Sequence, residues 1–231
     1  MPRTVLVTGA AQGLGAAIAR HLAERGDSLV LMDRNAAELA ATASQCNGAA
    51  QVVVDLSDAA ATARAAAALP AIDTLIHNAA ILRVEPIETV SLASFQATMN
   101  VGIQAAFQLT QAVWPMMRAR GGGALVFVSS RSGIEGFVDE TAYCAAKHAL
   151  EGFSKCLAME GAPQGIVSYT ITPGMFMHTP MSETTYGADA RARWVDPIRL
   201  APAFAHLSDD RPVHLSGQRL NAWELSQGAA A

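Results

Sequence analysis

The feature that most constrains the fold of this chain is a regular alternation of short apolar segments and longer helix-forming segments. The apolar segments are residues 4–7, 28–32, 51–54, 74–77, 124–128 and 166–170. Most are apolar nearly throughout, which is typical of strands buried on both faces of a parallel sheet. The sequence therefore predicts an α/β fold with a doubly wound, mostly parallel sheet, helices on both faces and right-handed crossovers.

Helix-forming segments fill the intervals between these strands. They are predicted at residues 13–25, 36–44, 92–120, 142–161 and 198–207, with an alanine-rich helix that is capped by Ser57 or Asp58 and ends before Pro70. Residues 218–223 are predicted as a seventh, edge strand, and residues 175–197 as a mobile surface segment. The 231 residues show no linker and no repeat, so residues 1–231 are expected to form a single domain.

Composition and charge exclude several classes of protein. Hydrophobic types make up 51% of the residues and the net charge is −4, which excludes an intrinsically disordered chain. Lys and Arg total 16 against 20 Asp and Glu, without a basic run, so no nucleic-acid partner is expected. The three cysteines are expected to be buried free thiols. The six histidines show no metal-binding spacing, so no metal is expected.

One segment, residues 89–117, carries no charge and is long enough to cross a bilayer. Asn100 and several glutamines interrupt it, which favours a helix that is buried or faces another subunit. The amino terminus lacks the apolar stretch and the cleavage site of a signal peptide. We therefore expect a soluble cytoplasmic protein without a membrane partner.

A glycine-rich turn joins the first strand to the first helix. Gly9 permits the sharp turn out of the strand, Gly13 allows the backbone to approach a pyrophosphate, and Gly15 lets helix and strand pack closely. The helix then offers unpaired N–H groups and the positive end of its dipole to an anion. The position of this turn, after a strand and before a helix, predicts a dinucleotide site.

The acid at the end of the second strand bears on which dinucleotide binds. Asp33 lies 18 positions after Gly15, where a carboxylate can accept a hydrogen bond from an adenosine ribose 2′-hydroxyl. A carboxylate would repel the 2′-phosphate of NADP, so NAD is the expected cofactor. Arg34 follows directly and could instead meet that phosphate, which leaves NADP as the alternative.

A second cluster of polar residues follows the fifth strand. Tyr143 and Lys147 are four positions apart on a predicted helix and so lie on one face, one turn apart. An ammonium group near a phenol lowers the phenol's pKa and prepares it to exchange a proton with an alcohol oxygen. Ser129 and Ser130 follow the strand at the carboxyl edge of the sheet, where ligands bind in such folds.

With these motifs, the chain resembles the classical short-chain dehydrogenase/reductase family over about residues 3–174. The family's TGxxxGxG motif corresponds to residues 8–15, and its Tyr-x-x-x-Lys motif to Tyr143 and Lys147. Its catalytic serine stands 13 positions before the tyrosine, which selects Ser130. The resemblance implies a Rossmann-type sheet of about seven strands.

The resemblance also implies the roles of individual residues. Tyr143 would be the general acid/base, with Lys147 lowering its pKa, Ser130 orienting the substrate oxygen and Asn100 supporting a water-linked proton relay. Cofactor contacts are implied for Gly9, Gln12, Gly13, Leu14, Gly15, Asp33, Arg34, Asp55, Leu56, Asn78, Ala79, Tyr143, Lys147, Pro173, Gly174 and Thr179.

The chain departs from the family pattern at several positions. His77 and Ala80 replace the first Asn and the Gly of the family's Asn-Asn-Ala-Gly element. Thr179 stands one position later than the family's usual threonine, where this chain has His178. Residues 175–200 correspond to the region that covers the substrate.

The activity that the resemblance implies is hydride transfer between NAD and a small secondary alcohol or ketone, in a homotetramer or homodimer built on the long helices. The alternatives are an NADP-dependent carbonyl reductase on the same residues and a catalytically silent regulator that senses the cofactor. Arg131 is expected to form a surface ion pair with Glu135, or else to contact an anionic substrate.

Overall fold

The strands form one parallel sheet in the computed structural model, which describes residues 2–186 and 188–228. They are β1 (Thr4–Thr8), β2 (Ser28–Asp33), β3 (Ala50–Val53), β4 (Thr74–His77), β5 (Gly123–Val128), β6 (Ile166–Thr172) and β7 (Arg219–Asn221). Their order is β3-β2-β1-β4-β5-β6-β7, and every pair is parallel. The predicted fold class is therefore confirmed.

The helices lie on both faces of this sheet. They are α1 (Gly13–Glu24), α2 (Ala36–Ser44), α3 (Ala59–Ala67), α4 (Leu92–Met99), α5 (Ala105–Ala119), α6 (Thr141–Gly161), α7 (Pro180–Thr185), α8 (Ala201–Asp209) and α9 (Ala222–Gly228). One apolar layer packs α1, α2 and α8 against the sheet, and the other packs α3, α5 and α6. The predicted helix caps include Asp58, which accepts hydrogen bonds from the first turn of α3.

The two apolar layers follow from the alternation of side chains along each strand. Val5 and Val7 of β1 pack with Ile18 of α1 on one face, whereas Leu6 packs with Leu109 of α5 on the other. Successive residues of a strand point to opposite faces, so a strand covered on both sides must be apolar throughout. This explains the uninterrupted apolar segments of the sequence.

Three predicted elements differ in the structure. The helix predicted over residues 92–120 is divided by a π-helical turn, Asn100–Gln104. The segment 175–197, predicted as irregular and mobile, contains α7, the 3₁₀ turn Ala188–Arg193 and a parallel bridge between Met177 and Val195; Gly187 within it lies outside the described residues. The helix predicted at residues 198–207 begins as a 3₁₀ turn, Pro197–Leu200, and continues as α8.

The sheet positions a crevice where β1 and β4 lie side by side. The chain leaves β1 towards β2 on one side and leaves β4 towards β5 on the other. Loops after neighbouring strands therefore diverge here, and ligands of open α/β sheets bind at such a point, beyond the carboxyl ends of the strands. Within the described residues, no helix is both long and apolar enough to cross a membrane.

A buried hydrogen-bond chain through His77 ties this point together. His77 Nε2 lies 3.0 Å from the Val101 carbonyl oxygen and 3.2 Å from that of Gly102, both in the π turn, so Nε2 carries the proton. Nδ1 then accepts from the Thr8 hydroxyl of β1 at 3.1 Å. Burial and the positive charge of Lys147 lower the pKa of His77 to about 4, although the two carbonyls favour the protonated ring.

The lowered pKa of His77 predicts a loss of stability in mild acid. The unfolded chain takes up a proton near pH 6.5, whereas the folded chain resists it down to about pH 4. The resulting contribution, on the order of 3 kcal/mol, is present above pH 6.5 and is lost as the pH falls to about 4. In urea unfolding at several pH values, His77→Asn should reduce this pH dependence, whereas the exposed His214→Asn should not. An unchanged pH dependence in His77→Asn would contradict the assignment.

Candidate active site

One large cavity runs along the carboxyl edge of the sheet. Its volume is about 1250 Å³, above the 300–1,000 Å³ usual for a single small-molecule pocket. At one end it is lined by Asp33 and Arg34 after β2, and at the other by Ser130, Tyr143 and neighbouring side chains. The glycine-rich turn lies between these ends. The cavity therefore joins the two polar clusters that the sequence predicts separately.

In the glycine-rich turn, backbone atoms pack directly against other backbone atoms. Gly9 and Gly13 have φ values of 66° and 57°, in the left-handed region that favours glycine. A Cβ atom on Gly15 would lie 2.1 Å from the Gly9 carbonyl oxygen and 2.7 Å from Asn78 Nδ2. Side chains are excluded here because α1 starts directly against the end of β1.

This turn fits a pyrophosphate. Gln12, the residue that precedes α1, makes no side-chain cap to the helix, and the first turn contains no acidic residue. Its N–H groups therefore remain available to an anion at the positive end of the helix dipole. Of the cofactor contacts expected in this turn, Gly9, Gln12, Gly13 and Leu14 line the cavity, whereas Gly15 does not.

Asp33 is held by two backbone N–H groups beside this turn. Its Oδ2 accepts from Ala11 at 3.1 Å and its Oδ1 from Asn35 at 3.0 Å. These bonds fix the orientation of the carboxylate, and each oxygen keeps a lone pair for a further donor. Asp33 thus connects the glycine-rich turn to the rim of the cavity where a ribose would lie.

Asp55 and Asn78 line the same end of the cavity in different ways. Burial acts to raise the pKa of Asp55, but hydrogen bonds from Ser57 and the charge of Arg34 lower it overall. Asn78 Nδ2 donates to the carbonyl oxygens of Thr8 at 3.1 Å and Gly9 at 3.2 Å. The Asn78 side chain therefore braces the turn. Leu56 and Ala79 complete this wall.

At the other end, Tyr143 and Lys147 are buried together. The Lys147 ammonium lies 5.4 Å from the centre of the Tyr143 ring and donates to the Val128 carbonyl oxygen at 2.6 Å. Burial raises the pKa of Tyr143 above its usual value, against the effect of a hydrogen bond from Ser130, and burial lowers the pKa of Lys147 to about 8. The predicted lowering of the Tyr143 pKa by Lys147 is therefore not what the structure shows, and the phenol is protonated near neutral pH.

Of the two serines after β5, Ser130 is the one placed to meet a substrate. Ser129 donates its hydroxyl proton to the buried carboxylate of Glu151. The Ser130 hydroxyl lies beside Tyr143 and accepts a hydrogen bond from the Ser132 N–H at 3.2 Å. The choice between these serines, which rested on spacing alone, therefore has a structural reason.

Asn100 is the predicted catalytic residue whose side chain lies elsewhere. Its Nδ2 donates to the Ser57 carbonyl oxygen at 2.8 Å, and Asn100 does not line the cavity. A contribution of Asn100 to proton transfer would have to come from its backbone, at the start of the π turn. The Asn100 side chain is therefore not placed to support the expected proton relay.

Thr179 reaches the cavity despite its shift in sequence. Its Oγ1 accepts from the Ser182 N–H at 3.1 Å and so caps α7. A Cβ atom on Gly13 would lie 3.3 Å from Thr179 Cγ2, so α7 begins directly over the glycine-rich turn. Pro173 and Gly174 also line the cavity. His178 lies outside this cavity and pairs with Glu183 at 2.7 Å.

The sequence analysis missed two charged residues behind Ser130. Glu151, on the same face of α6 as Lys147, accepts from the Thr170 hydroxyl at 2.6 Å and lies 3.2 Å from Arg219 Nε. Arg219 also donates to the Ser130 carbonyl oxygen at 3.0 Å. This ion pair fixes the backbone of Ser130. The spacing of four between Lys147 and Glu151 was a signal, but Arg219 comes from an edge strand far along the chain.

Removal of Arg219 should affect both stability and turnover. Arg219→Met removes the guanidinium that pairs with the buried Glu151 carboxylate, and we expect a loss of about 2–3 kcal/mol in the free energy of unfolding. We also expect a lower kcat, since Ser130 loses a contact that fixes it. The control, Arg120→Met, removes an ion pair with Asp73 whose arginine side chain is 50% exposed, and should cost under about 1 kcal/mol. Equal losses in urea unfolding would contradict this assignment.

Comparison with known proteins agrees with this geometry. The family model described as short chain dehydrogenase matches residues 3–189. An L-xylulose reductase of Mesocricetus auratus is 34% identical over 196 residues, 84% of this chain and 77% of that protein. A D-threitol dehydrogenase of Mycolicibacterium smegmatis is 32% identical over 234 residues, covering 94% and 90%.

A solved structure from Beutenbergia cavernae is similar over nearly its whole length. Its TM-score is 0.87, with 30% sequence identity, and the match covers 96% of each chain. That protein is described as a putative NAD(P)-dependent gluconate 5-dehydrogenase, and its crystal holds NADP at low occupancy.

Proposed function

Because the chain belongs to the short-chain dehydrogenase/reductase family, whose members are NAD(P)-dependent oxidoreductases, we propose that it transfers a hydride between NAD and a small polyhydroxylated alcohol or ketone. The observation that carries this proposal is the single cavity that contains the glycine-rich turn, Asp33 and the Ser130–Tyr143–Lys147 cluster. Dinucleotide binding alone would not require the last three.

Three residues of the chain have separate roles in the proposed reaction. The cofactor, when bound, supplies or accepts the hydride. Tyr143 is protonated near neutral pH, so it can donate a proton to the substrate oxygen during reduction, which leaves the phenolate; during oxidation the phenolate takes the proton. Lys147 favours this phenolate form, because its ammonium lies beside the ring. Ser130 orients the same oxygen.

NAD is the proposed cofactor because of how Asp33 is held. Two backbone N–H groups fix its carboxylate at the rim of the cavity, where a 2′-phosphate would meet a negative charge. Arg34 lines the same rim, but its charge acts on the nearby Asp55 carboxylate. The two relatives named above act on L-xylulose and D-threitol, which supports a neutral polyol or ketose as substrate.

The long uncharged helix suggests a homo-oligomer. Leu92 in α4 is 70% exposed and Phe107 in α5 is 49% exposed, so both side chains are open to a partner subunit. We propose that a second copy of the chain covers these helices.

Replacement of Tyr143 tests the catalytic assignment. Tyr143→Phe removes the hydroxyl that exchanges the proton, and we expect turnover of D-threitol or L-xylulose to fall by about 10²–10⁴-fold. Binding of NADH, measured by calorimetry, should be retained. The control, Tyr169→Phe, removes a buried hydroxyl outside the cavity that donates to Pro212, and should keep kcat. Normal turnover in Tyr143→Phe would rule out the assignment, whereas a wild-type chain that binds NADH without turnover would favour the silent regulator.

Replacement of Asp33 tests the cofactor assignment. We expect calorimetry to show tighter binding of NADH than of NADPH to the wild-type chain. Asp33→Asn keeps an acceptor for the Ala11 N–H but removes the negative charge, so the preference for NADH should fall by about tenfold. Glu38→Gln, the same change of charge on the exposed face of α2, should leave the preference unchanged. Tighter NADPH binding by the wild-type chain would mean that Arg34 dominates.

A further inference from the structure

Glu140 is a carboxylate within the cavity that neither the fold nor the proton transfer uses. It is the residue directly before α6, three positions before Tyr143, and so lies about one helical turn from the reactive phenol. It is half-buried and lines the cavity. Its negative charge raises the pKa of both Tyr143 and Tyr186, which agrees with a position between the two phenols.

A chain of hydroxyl groups connects Glu140 to Ser130. The Ser132 hydroxyl donates to Glu140 Oε2 at 3.1 Å, and the Ser130 hydroxyl lies 3.4 Å from the Ser132 oxygen. These contacts fix the carboxylate at the substrate end of the cavity. Among the residues that the structure describes, none donates a hydrogen bond to Oε1 of Glu140. That oxygen is therefore available to a hydroxyl group of a ligand.

Three arginines line this end of the cavity, and each has a contact of its own. Arg131 forms the predicted ion pair with Glu135 at 2.7 Å, and its side chain is 67% exposed. Arg219 is bound to Glu151 and to the Ser130 carbonyl oxygen. Arg193 is exposed, with its guanidinium 5.1 Å from the centre of the Phe176 ring. The charged group that connects to the Ser130 hydroxyl through the Ser132 hydroxyl is thus the Glu140 carboxylate.

We propose that Glu140, oriented by Ser132, determines substrate specificity: it accepts a hydrogen bond from a hydroxyl on a carbon near the reacting one and disfavours a carboxylate there. This inference rests on the proposed function and narrows its substrate class to neutral polyols and ketoses, as opposed to sugar acids. A hydrogen bond to a carboxylate is about twice as strong as one to a neutral acceptor. The same charge repels an anionic substrate, so Glu140 both favours a neutral polyol and disfavours a sugar acid.

The test compares two alcohols oxidised in the same direction, D-threitol and gluconate, with NAD as oxidant and the purified full-length chain as enzyme. We expect wild-type kcat/KM to favour D-threitol by at least about tenfold. In Glu140→Gln, KM for D-threitol should rise about five- to tenfold with little change in kcat, because the neutral amide accepts a weaker bond. For gluconate, kcat/KM should rise, because the repulsion is gone.

The matched control is Glu160→Gln. Glu160 is exposed in α6 and loses the same charge, but it does not line the cavity. Its preference for D-threitol should equal that of the wild type. If Glu140→Gln does not fold, as judged by circular dichroism, Ser132→Ala keeps the charge and removes the hydroxyl that orients it. That variant should raise KM for D-threitol while gluconate remains disfavoured.

A failure of this inference can be distinguished from a failure of the proposed oxidoreductase function. Equal losses of kcat for both alcohols in Glu140→Gln, with KM unchanged, would show that Glu140 acts on Tyr143 and would overturn the inference. A wild-type preference for gluconate would also overturn it, but would leave the proposed oxidoreductase function intact. A wild-type chain that binds NADH and oxidises neither alcohol would refute the proposed substrate class, and the inference with it.

Discussion

The active site depends first on the Thr8 hydroxyl at the end of β1. It accepts from the N–H groups of Asn78 and Ala79 at 3.1 Å each and donates to His77. This one group joins the ends of two neighbouring strands at the point where their loops diverge. The chain beyond β1 and the chain beyond β4 therefore start from a common fixed point, and the crevice between them keeps its shape.

Three sets of contacts fix the chemical end of the cavity, and the first of them continues from Thr8. His77 continues the chain of hydrogen bonds into the π turn after α4, through the carbonyls of Val101 and Gly102. The Glu151–Arg219 pair holds Ser130 from behind, and Lys147 is bound to the Val128 carbonyl oxygen. Charged and polar groups buried in this way must have partners, so each is oriented by the partner it needs. The partners that permit these groups to be buried also fix the geometry that proton transfer requires.

Much of this site was predictable because its motifs are local. The glycine-rich turn, the acid after β2 and the Tyr143–Lys147 pair each belong to one strand–turn–helix or one helical turn, where spacing translates directly into geometry. The segment 175–197 was not, because α7 has little apolar periodicity and is positioned by contact with the glycine-rich turn. The π turn was likewise hidden, because its hydrogen bonds differ from those of an α-helix by one residue and leave the sequence pattern unchanged.

The positions that depart from the family pattern also separate what the sequence predicts from what only the structure shows. His77 stands where the family has asparagine, and nothing in the sequence indicated that its ring would bridge β1 and the π turn. By itself the sequence determined the parallel sheet, the order of its elements and the residues that carry the chemistry, because apolar segments and short motifs act over a few neighbouring positions. Only the tertiary structure decided which partners hold those residues and which charge faces the substrate. Arg219 reaches Ser130, and Thr179 reaches Gly13, across long stretches of chain that come together only when the core packs.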